Sequence, residues 1–228
     1  MNPGSYAAVQ AAIASTAELI PFSSDRRGHW VYPAGTGITD ELEVLPENQH
    51  GEGMFRIGWG IRAAGVADVL GLSDLPGTEH ATIGGDLGSL AERKRGMTML
   101  SLGSGGAGGL TRLWWGTRGE SPEQLGRRIA EWVSRLAPVF RDIDTYDKLA
   151  DFVRAFPSGY GKVEVHPDNE VGRLQTETAL RAVGGDPRGA EDALSRWRAV
   201  IERDRRDDFL RKLDDEFVRR VEAALGAR

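Results

Sequence analysis

A cluster of glycines is the first feature of this chain whose spacing could do chemistry. Gly103-x-Gly105-x-x-Gly108 matches the spacing of the dinucleotide-binding fingerprint. That fingerprint needs a helix N-terminus directly after the glycines, because the helix end holds the pyrophosphate. Here the residues that follow, from Leu110 to Trp115, have the composition of a strand. The match therefore indicates a flexible loop, and no cofactor and no cofactor-binding residue is predicted.

Catalytic and metal-binding side chains show no recognised spacing either. The four histidines, His29, His50, His80 and His166, form no close pair, and the chain has no Cys, so a metal site would have to be assembled from distant segments. Ser104 lies among the glycines, where an oxyanion hole could form, but no base is indicated nearby and the Gly-x-Ser-x-Gly motif is absent. We therefore predict no catalytic residue and no metal ligand.

Two adjacent tryptophans give the strongest candidate for a binding site. On a strand, Trp114 and Trp115 point to opposite faces, so that one can be buried while the other is exposed. Beside Arg112 and Arg118, an exposed Trp would form a partner-binding site, because Trp and Arg dominate interface hot spots. The alternative is that a helix covers the second Trp. The long segment 63–96 is a second candidate, for which a tolerated surface insertion is the alternative.

The composition excludes several classes of function. The 228 residues include 29 Lys and Arg against 34 Asp and Glu, which gives a net charge of −5. An acidic chain is a poor non-specific binder of nucleic acid, because such binding needs many cations to displace counterions. No run of 18 apolar residues and no signal peptide is present, so the sequence predicts no membrane association. Together with the absence of Cys, this favours a cytoplasmic protein.

The 30 glycines divide the chain, because most of them lie between residues 28 and 119 and glycine disfavours helices. This region is therefore predicted to contain strands joined by turns, an arrangement typical of an antiparallel sheet. The best strand has four apolar side chains on one face and two glycines on the other. The predicted strands are His29–Tyr32, ended by Pro33; Glu41–Leu45; Met54–Ile61, with Phe55, Ile57, Trp59 and Ile61 on its apolar face; Met97–Leu102; and Leu110–Trp115.

Helices are predicted on both sides of the glycine-rich region. Ser121 and Gln124 form the pattern of a capping box around Pro122, and an apolar stripe that includes Ile129 and Val133 follows. This helix is expected to cover the apolar face of the sheet. The full set of predicted helices is 5–20, stopping before Pro21; 122–137, closed by Pro138; a helix capped by Asp144 and ended by Pro157; and 170–183, 189–203 and 207–225, the last three following a Gly- and Pro-containing connector at 158–168.

The order of these features resembles a bacterial family known as the domain of unknown function 4304. The residues that carry the resemblance are Phe55–Ile61, Leu113-Trp114-Trp115 and Ala137–Phe140, and it covers about residues 5–156. The chain departs from the family where Pro33 interrupts the strand after Trp30. The resemblance implies an α+β fold and supplies no catalytic residues.

We therefore predict an α+β fold, in which an antiparallel sheet of four to five strands packs on helices and a helical extension follows. The predicted domains are 1–157, which carries the resemblance, and 158–228, with three helices. The preferred function is a non-enzymatic protein-binding or accessory protein, of which an immunity protein is one type. The alternative is an enzyme of unknown class whose site is built from the Gly-rich loops. A homodimer through the C-terminal helices is a further hypothesis, and neither nucleic acid nor a membrane is a predicted partner.

Overall fold

The computed structural model describes residues 3–46, 55–73, 82–86, 121–155, 170–203 and 207–227. In these residues an antiparallel sheet is combined with helices at both ends of the chain, which confirms the predicted α+β class. The elements in chain order are α1 (Pro3–Ala14), β1 (Ser23–Arg26), β2 (His29–Gly35), β3 (Ile38–Pro46), β4 (Phe55–Ala63), α2 (Val66–Leu70), β5 (Ile83–Asp86), α3 (Pro122–Asp142), α4 (Tyr146–Ala155), α5 (Glu170–Gly184), α6 (Pro187–Arg203) and α7 (Asp208–Gly226).

The five strands form a meander in which each strand pairs with the next one along the chain. Strand β4 shows the predicted alternation, because its alternate apolar side chains from Phe55 to Ile61 are all buried on one face. On the neighbouring strand Leu42 lies directly opposite Trp59, so both side chains belong to this inner face. The inner face is therefore the side of the sheet on which the apolar core is built.

Helices α1 and α3 pack together, and α3 reaches the inner face through Phe140. The start of α3 is the predicted capping box: Ser121 Oγ accepts from Gln124 N at 3.3 Å, and Ser121 N donates to Gln124 Oε1 at 2.9 Å. Its predicted stripe is buried, with Ile129 and Val133 wholly covered. The expected helix covering the sheet is thus present in the structure.

Two prolines do not end their elements as predicted. Strand β2 continues through Pro33 to Gly35, because β1 pairs with β2 only as far as Val31. Beyond that point the described residues give β2 a strand neighbour on one side alone, and an edge tolerates a residue without an N–H group. Helix α3 likewise runs through Pro138 to Asp142. One lost backbone hydrogen bond is offset there by the burial of Phe140, two residues further on.

Two helix boundaries also differ from the predictions. Helix α1 ends at Ala14 rather than at residue 20, because the hydroxyl groups of Ser15 and Thr16 donate to backbone carbonyls of the last turn and compete with further helix. Helix α4 is capped by Thr145 and not by Asp144. Thr145 Oγ1 accepts from the backbone N–H of Lys148, whereas Asp144 pairs with the Lys148 ammonium at 2.7 Å.

The C-terminal helices close around α5. Helices α5 and α6 form an αα-hairpin, whose turn contains Gly185 in the left-handed conformation at φ 83°. Trp197 on α6 and Phe217 on α7 meet edge to face with their ring centroids 5.1 Å apart. Arg220 on α7 donates to the carbonyl of Val69 at 2.9 Å, which ties α7 to α2. Apolar packing is therefore continuous from the sheet to α7.

Three short elements, β1, α2 and β5, are present that the sequence did not predict. The predicted strands Met97–Leu102 and Leu110–Trp115 and the connector 158–168 lie outside the described residues. None of the described helices combines the length and the apolar composition needed to cross a membrane.

Candidate functional site

A polar cluster crosses four strands on the outer face of the sheet, opposite the apolar core. His29 on β2 lies between two carboxylates: its Nδ1 is 2.5 Å from Oδ1 of Asp25 on β1, and its Nε2 is 3.6 Å from Oε2 of Glu41 on β3. Arg62 on β4 donates to Glu41 Oε1 through two of its nitrogens. The side chains of His29 and Glu41 are 4% and 10% exposed, so the centre of this polar cluster is nearly closed to solvent.

The geometry of the polar cluster fits a structural role better than a catalytic one. In a catalytic triad a carboxylate orients one imidazole nitrogen and the other nitrogen takes a proton from the nucleophile. Here both nitrogens of His29 face carboxylates, of Asp25 and of Glu41, so neither is directed at a substrate position. Among the residues that the structure describes, no three His, Asp or Glu side chains are placed to hold a metal ion. The polar cluster instead links each of the first four strands to its neighbour.

Asp40 lies on the inner face, next to Glu41 in sequence but on the other side of the sheet. It is fully buried, and neither of its carboxylate oxygens has a hydrogen-bond partner among the described residues. Burial, with a smaller contribution from the charge of Glu41, raises the pKa of Asp40 to about 8. At neutral pH this carboxyl group is therefore mainly protonated and uncharged.

Helix α7 presents an exposed apolar surface at its first two turns, which we call the α7 ridge: Phe209, Leu210 and Leu213. These side chains are 68%, 38% and 43% exposed. The same helical stripe is buried further along, at Phe217 and Val221, where α7 packs against the body of the protein. An amphipathic helix of this kind owes most of its stability to the surface against which its apolar stripe packs. The structure shows that its first part stays substantially open to solvent.

The α7 ridge is held in a defined conformation and is bordered by charges. Asp207 caps the helix, because its Oδ1 accepts from the backbone N–H of Leu210 at 2.8 Å. Asp208 and Arg211 lie beside the ridge as an exposed pair with a charge-to-charge distance of 4.0 Å, and Lys212 is exposed as well. An apolar centre with a polar rim is the usual anatomy of a protein–protein interface.

The predicted binding residues Arg112, Trp114, Trp115 and Arg118 all lie outside the described residues, as does the Gly103–Gly109 loop. Of the segment 63–96, the structure describes 63–73 and 82–86. Three of the four histidines, His50, His80 and His166, and also Ser104, fall outside the described part of the chain. The roles assigned to these residues therefore stay predictions.

No family model, no curated protein and no solved structure matches this chain. The resemblance to the domain of unknown function 4304 family is therefore still a prediction. Any statement about function has to come from the geometry and chemistry of the chain itself.

Proposed function

We propose that this protein is a non-enzymatic protein-binding or accessory protein, and that the α7 ridge contacts its partner. The observation that carries the proposal is the exposure of three large apolar side chains within two helical turns. Elsewhere in the described residues, Leu19 is the one other large apolar side chain exposed to a similar degree. Burying a Phe or Leu side chain is worth roughly 1.5–3 kcal/mol, so the ridge can supply a substantial part of a binding energy.

The partner that fits this surface is a different protein with an apolar groove bordered by charges of both signs. Each partner in a standard interface buries roughly 800 Å², which is far more than three partly exposed side chains offer. The ridge therefore serves as the buried centre of the contact, and the charged side chains of Asp208, Arg211 and Lys212 belong to its rim.

An enzyme remains the second candidate because Asp25, His29 and Glu41 are adjacent titratable groups, the kind of cluster that catalysis uses. We rank it below binding because both nitrogens of His29 are directed at carboxylates. An immunity-type role, a cytoplasmic location and a contribution of Arg112, Trp114, Trp115 and Arg118 to the binding surface are predictions that accompany the proposal.

Capture from an extract of the native host, followed by calorimetry with the purified partner, tests the proposal. The double variant Phe209→Ser/Leu213→Ser removes the two most exposed side chains of the ridge. Leu19→Ser is the matched control, because it removes an apolar side chain of similar exposure on a different surface. We expect the wild type and the control to bind alike and the ridge variant to bind at least tenfold more weakly, a change of about 1.4 kcal/mol.

Equal affinity of the wild type and the ridge variant for the captured protein would overturn the proposal, and so would failure of the wild-type chain to retain any host protein. Light scattering distinguishes a further outcome. A wild-type dimer that becomes a monomer in the ridge variant would show that the ridge binds a second copy of the chain and not a different protein.

A further inference from the structure

Asp40 is an acidic side chain within an otherwise apolar part of the inner face. In the register of the sheet it lies directly between Tyr32 on β2 and Ile61 on β4. Its carboxylate oxygens are buried and receive no hydrogen bond from any described residue. An ionised carboxylate in such a place costs many kcal/mol, because neither water nor a donor replaces the lost hydration. The closed structure is therefore compatible with the neutral acid and not with the anion.

Two aromatic neighbours of Asp40 on the inner face, Tyr32 and Trp59, belong to a group of rings that joins the sheet to two helices. We call these rings the aromatic layer: Phe22, Tyr32, Trp59, Phe140 and Phe152. The ring of Trp59 lies 6.5 Å from that of Phe140 on α3 and 6.5 Å from that of Phe152 on α4, both edge to face. Phe22 makes the same type of contact with Tyr32 at 6.2 Å and with Phe140 at 6.1 Å.

Trp59, like Asp40, has a buried polar group without a hydrogen-bond partner among the described residues. On the inner face it is a diagonal neighbour of Asp40, because it lies two residues before Ile61, the cross-strand partner of Asp40. Its Nε1 is buried and has no acceptor among the described residues. Asp40 and Trp59 thus carry two uncompensated polar groups on the same face of the sheet, where water would reach both if helices α3 and α4 separated from it.

The charged and titratable groups around Asp40 offer no compensation for a negative charge. In the register of the sheet its neighbours are Tyr32 on β2 and Ile61 and Trp59 on β4, none of which is a cation. Helices α3 and α4 contribute phenyl rings to the aromatic layer. Tyr146 on α4 also carries a hydroxyl group, which donates to the carbonyl of Ala64 at 2.9 Å. Glu41, next in the chain, is acidic and disfavours a second charge. No cation faces Asp40 from these elements in the part of the chain described.

We propose that Asp40 is a proton-dependent switch for the contact between the sheet and helices α3 and α4. While the carboxyl group keeps its proton, the aromatic layer packs closed on the inner face. When the proton is lost, the anion is hydrated by separation of the layer, which breaks the contacts of Trp59 with Phe140 and Phe152. This inference is independent of the α7 ridge, which lies on another part of the chain.

Amide hydrogen exchange read by mass spectrometry between pH 6 and pH 9.5, corrected for the intrinsic exchange rate at each pH, tests the proposal. We expect protection in β3, β4 and α4 to fall by up to about tenfold per pH unit between pH 6 and pH 8 and to level off above pH 8, because between the two pKa values of Asp40 the hydrated carboxyl group ionises while the closed structure keeps its proton. In Asp40→Asn the same segments should keep constant protection. Asp142→Asn removes an exposed carboxylate on α3 and should behave as the wild type.

Unchanged protection of the wild type across this pH range would overturn the proposal, and so would an equal fall in Asp40→Asn. A carbon-13 titration of the Asp40 carboxyl group in the unsubstituted protein gives a second measurement that does not depend on the folding of a variant. A midpoint near pH 8 supports the switch, whereas a midpoint below pH 6 would show that the anion is tolerated in the closed structure.

Discussion

Replacement of Asp40 by Asn should change how the stability of the protein depends on pH. The pKa of Asp40 is about 8 in the folded protein and 3.8 in a solvated chain. The folded state therefore binds the proton more tightly than the unfolded state. It follows that the stability from this group is fully present below about pH 3.8 and is lost as the pH rises through 8. Asn has a similar shape and no proton to lose, so the variant should lack this dependence.

The size of the effect follows from the two pKa values. Each pH unit between them costs the folded state about 1.4 kcal/mol, because the unfolded chain ionises and the folded chain does not. From pH 5 to pH 9 the loss is about 4 kcal/mol, with most of it complete by pH 8. A buried Asn has unsatisfied polar groups of its own, which cost roughly 1–3 kcal/mol, but this cost is the same at every pH. The informative quantity is therefore how the stability of the variant relative to the wild type changes with pH, and not its value at any one pH.

Urea denaturation of the wild type and of Asp40→Asn at pH 5, 6, 7, 8 and 9 measures this slope. We expect the free energy of unfolding of the variant, relative to the wild type, to rise by about 4 kcal/mol across the series and to level off above pH 8. A difference that stays constant across the series within about 0.5 kcal/mol would refute the reasoning, since additive pH effects of all other groups cancel in the comparison.

Three further substitutions test the packing and the helix start. Phe217→Ala removes the ring that meets Trp197 and should lower the free energy of unfolding by about 3–5 kcal/mol in urea denaturation, whereas a loss below 1 kcal/mol would mean that α7 is not held by this contact. Ser121→Ala removes one half of the capping box and should lower the free energy of unfolding by about 1 kcal/mol. Gln124→Ala should cost less, because the Ser121 hydroxyl then still accepts from the backbone. Equal stability of Ser121→Ala and the wild type would contradict the role of the cap.

The elements that the sequence predicted best are those in which a local pattern and the tertiary packing agree. In β4 the alternation of apolar side chains and glycines matches a strand with one buried face, and the structure places it there. At the start of α3 the capping box, the proline and the apolar stripe all indicate the same residue as the first of the helix. The short elements β1, α2 and β5 have four or five residues each, too few for any period to be recognised, and they form because their neighbours hold them.

The errors at Pro33, Pro138 and Asp144 have a common physical origin. Each prediction applied a local preference that is correct on average, and in each case a contact elsewhere in the fold decided the outcome. Pro33 is tolerated because β1 is short, and Pro138 because Phe140 is anchored in the core. Asp144 is displaced as a cap by Thr145, because Asp144 bonds instead with Lys148. None of these contacts can be seen in a window of a few residues.

The two neighbouring acids Asp40 and Glu41 show most clearly why the site could not be predicted. They are chemically similar and adjacent, yet Glu41 faces His29 and Arg62 on the outer face while Asp40 faces Ile61 and the aromatic layer. The register of β3 against its neighbours alone decides which acid is paired and which is buried without a partner, because a shift of one residue exchanges the two faces. Register depends on turns and on side chains from four strands. The property that makes Asp40 sensitive to pH is therefore a property of the sheet, and it appears only once the strands are aligned.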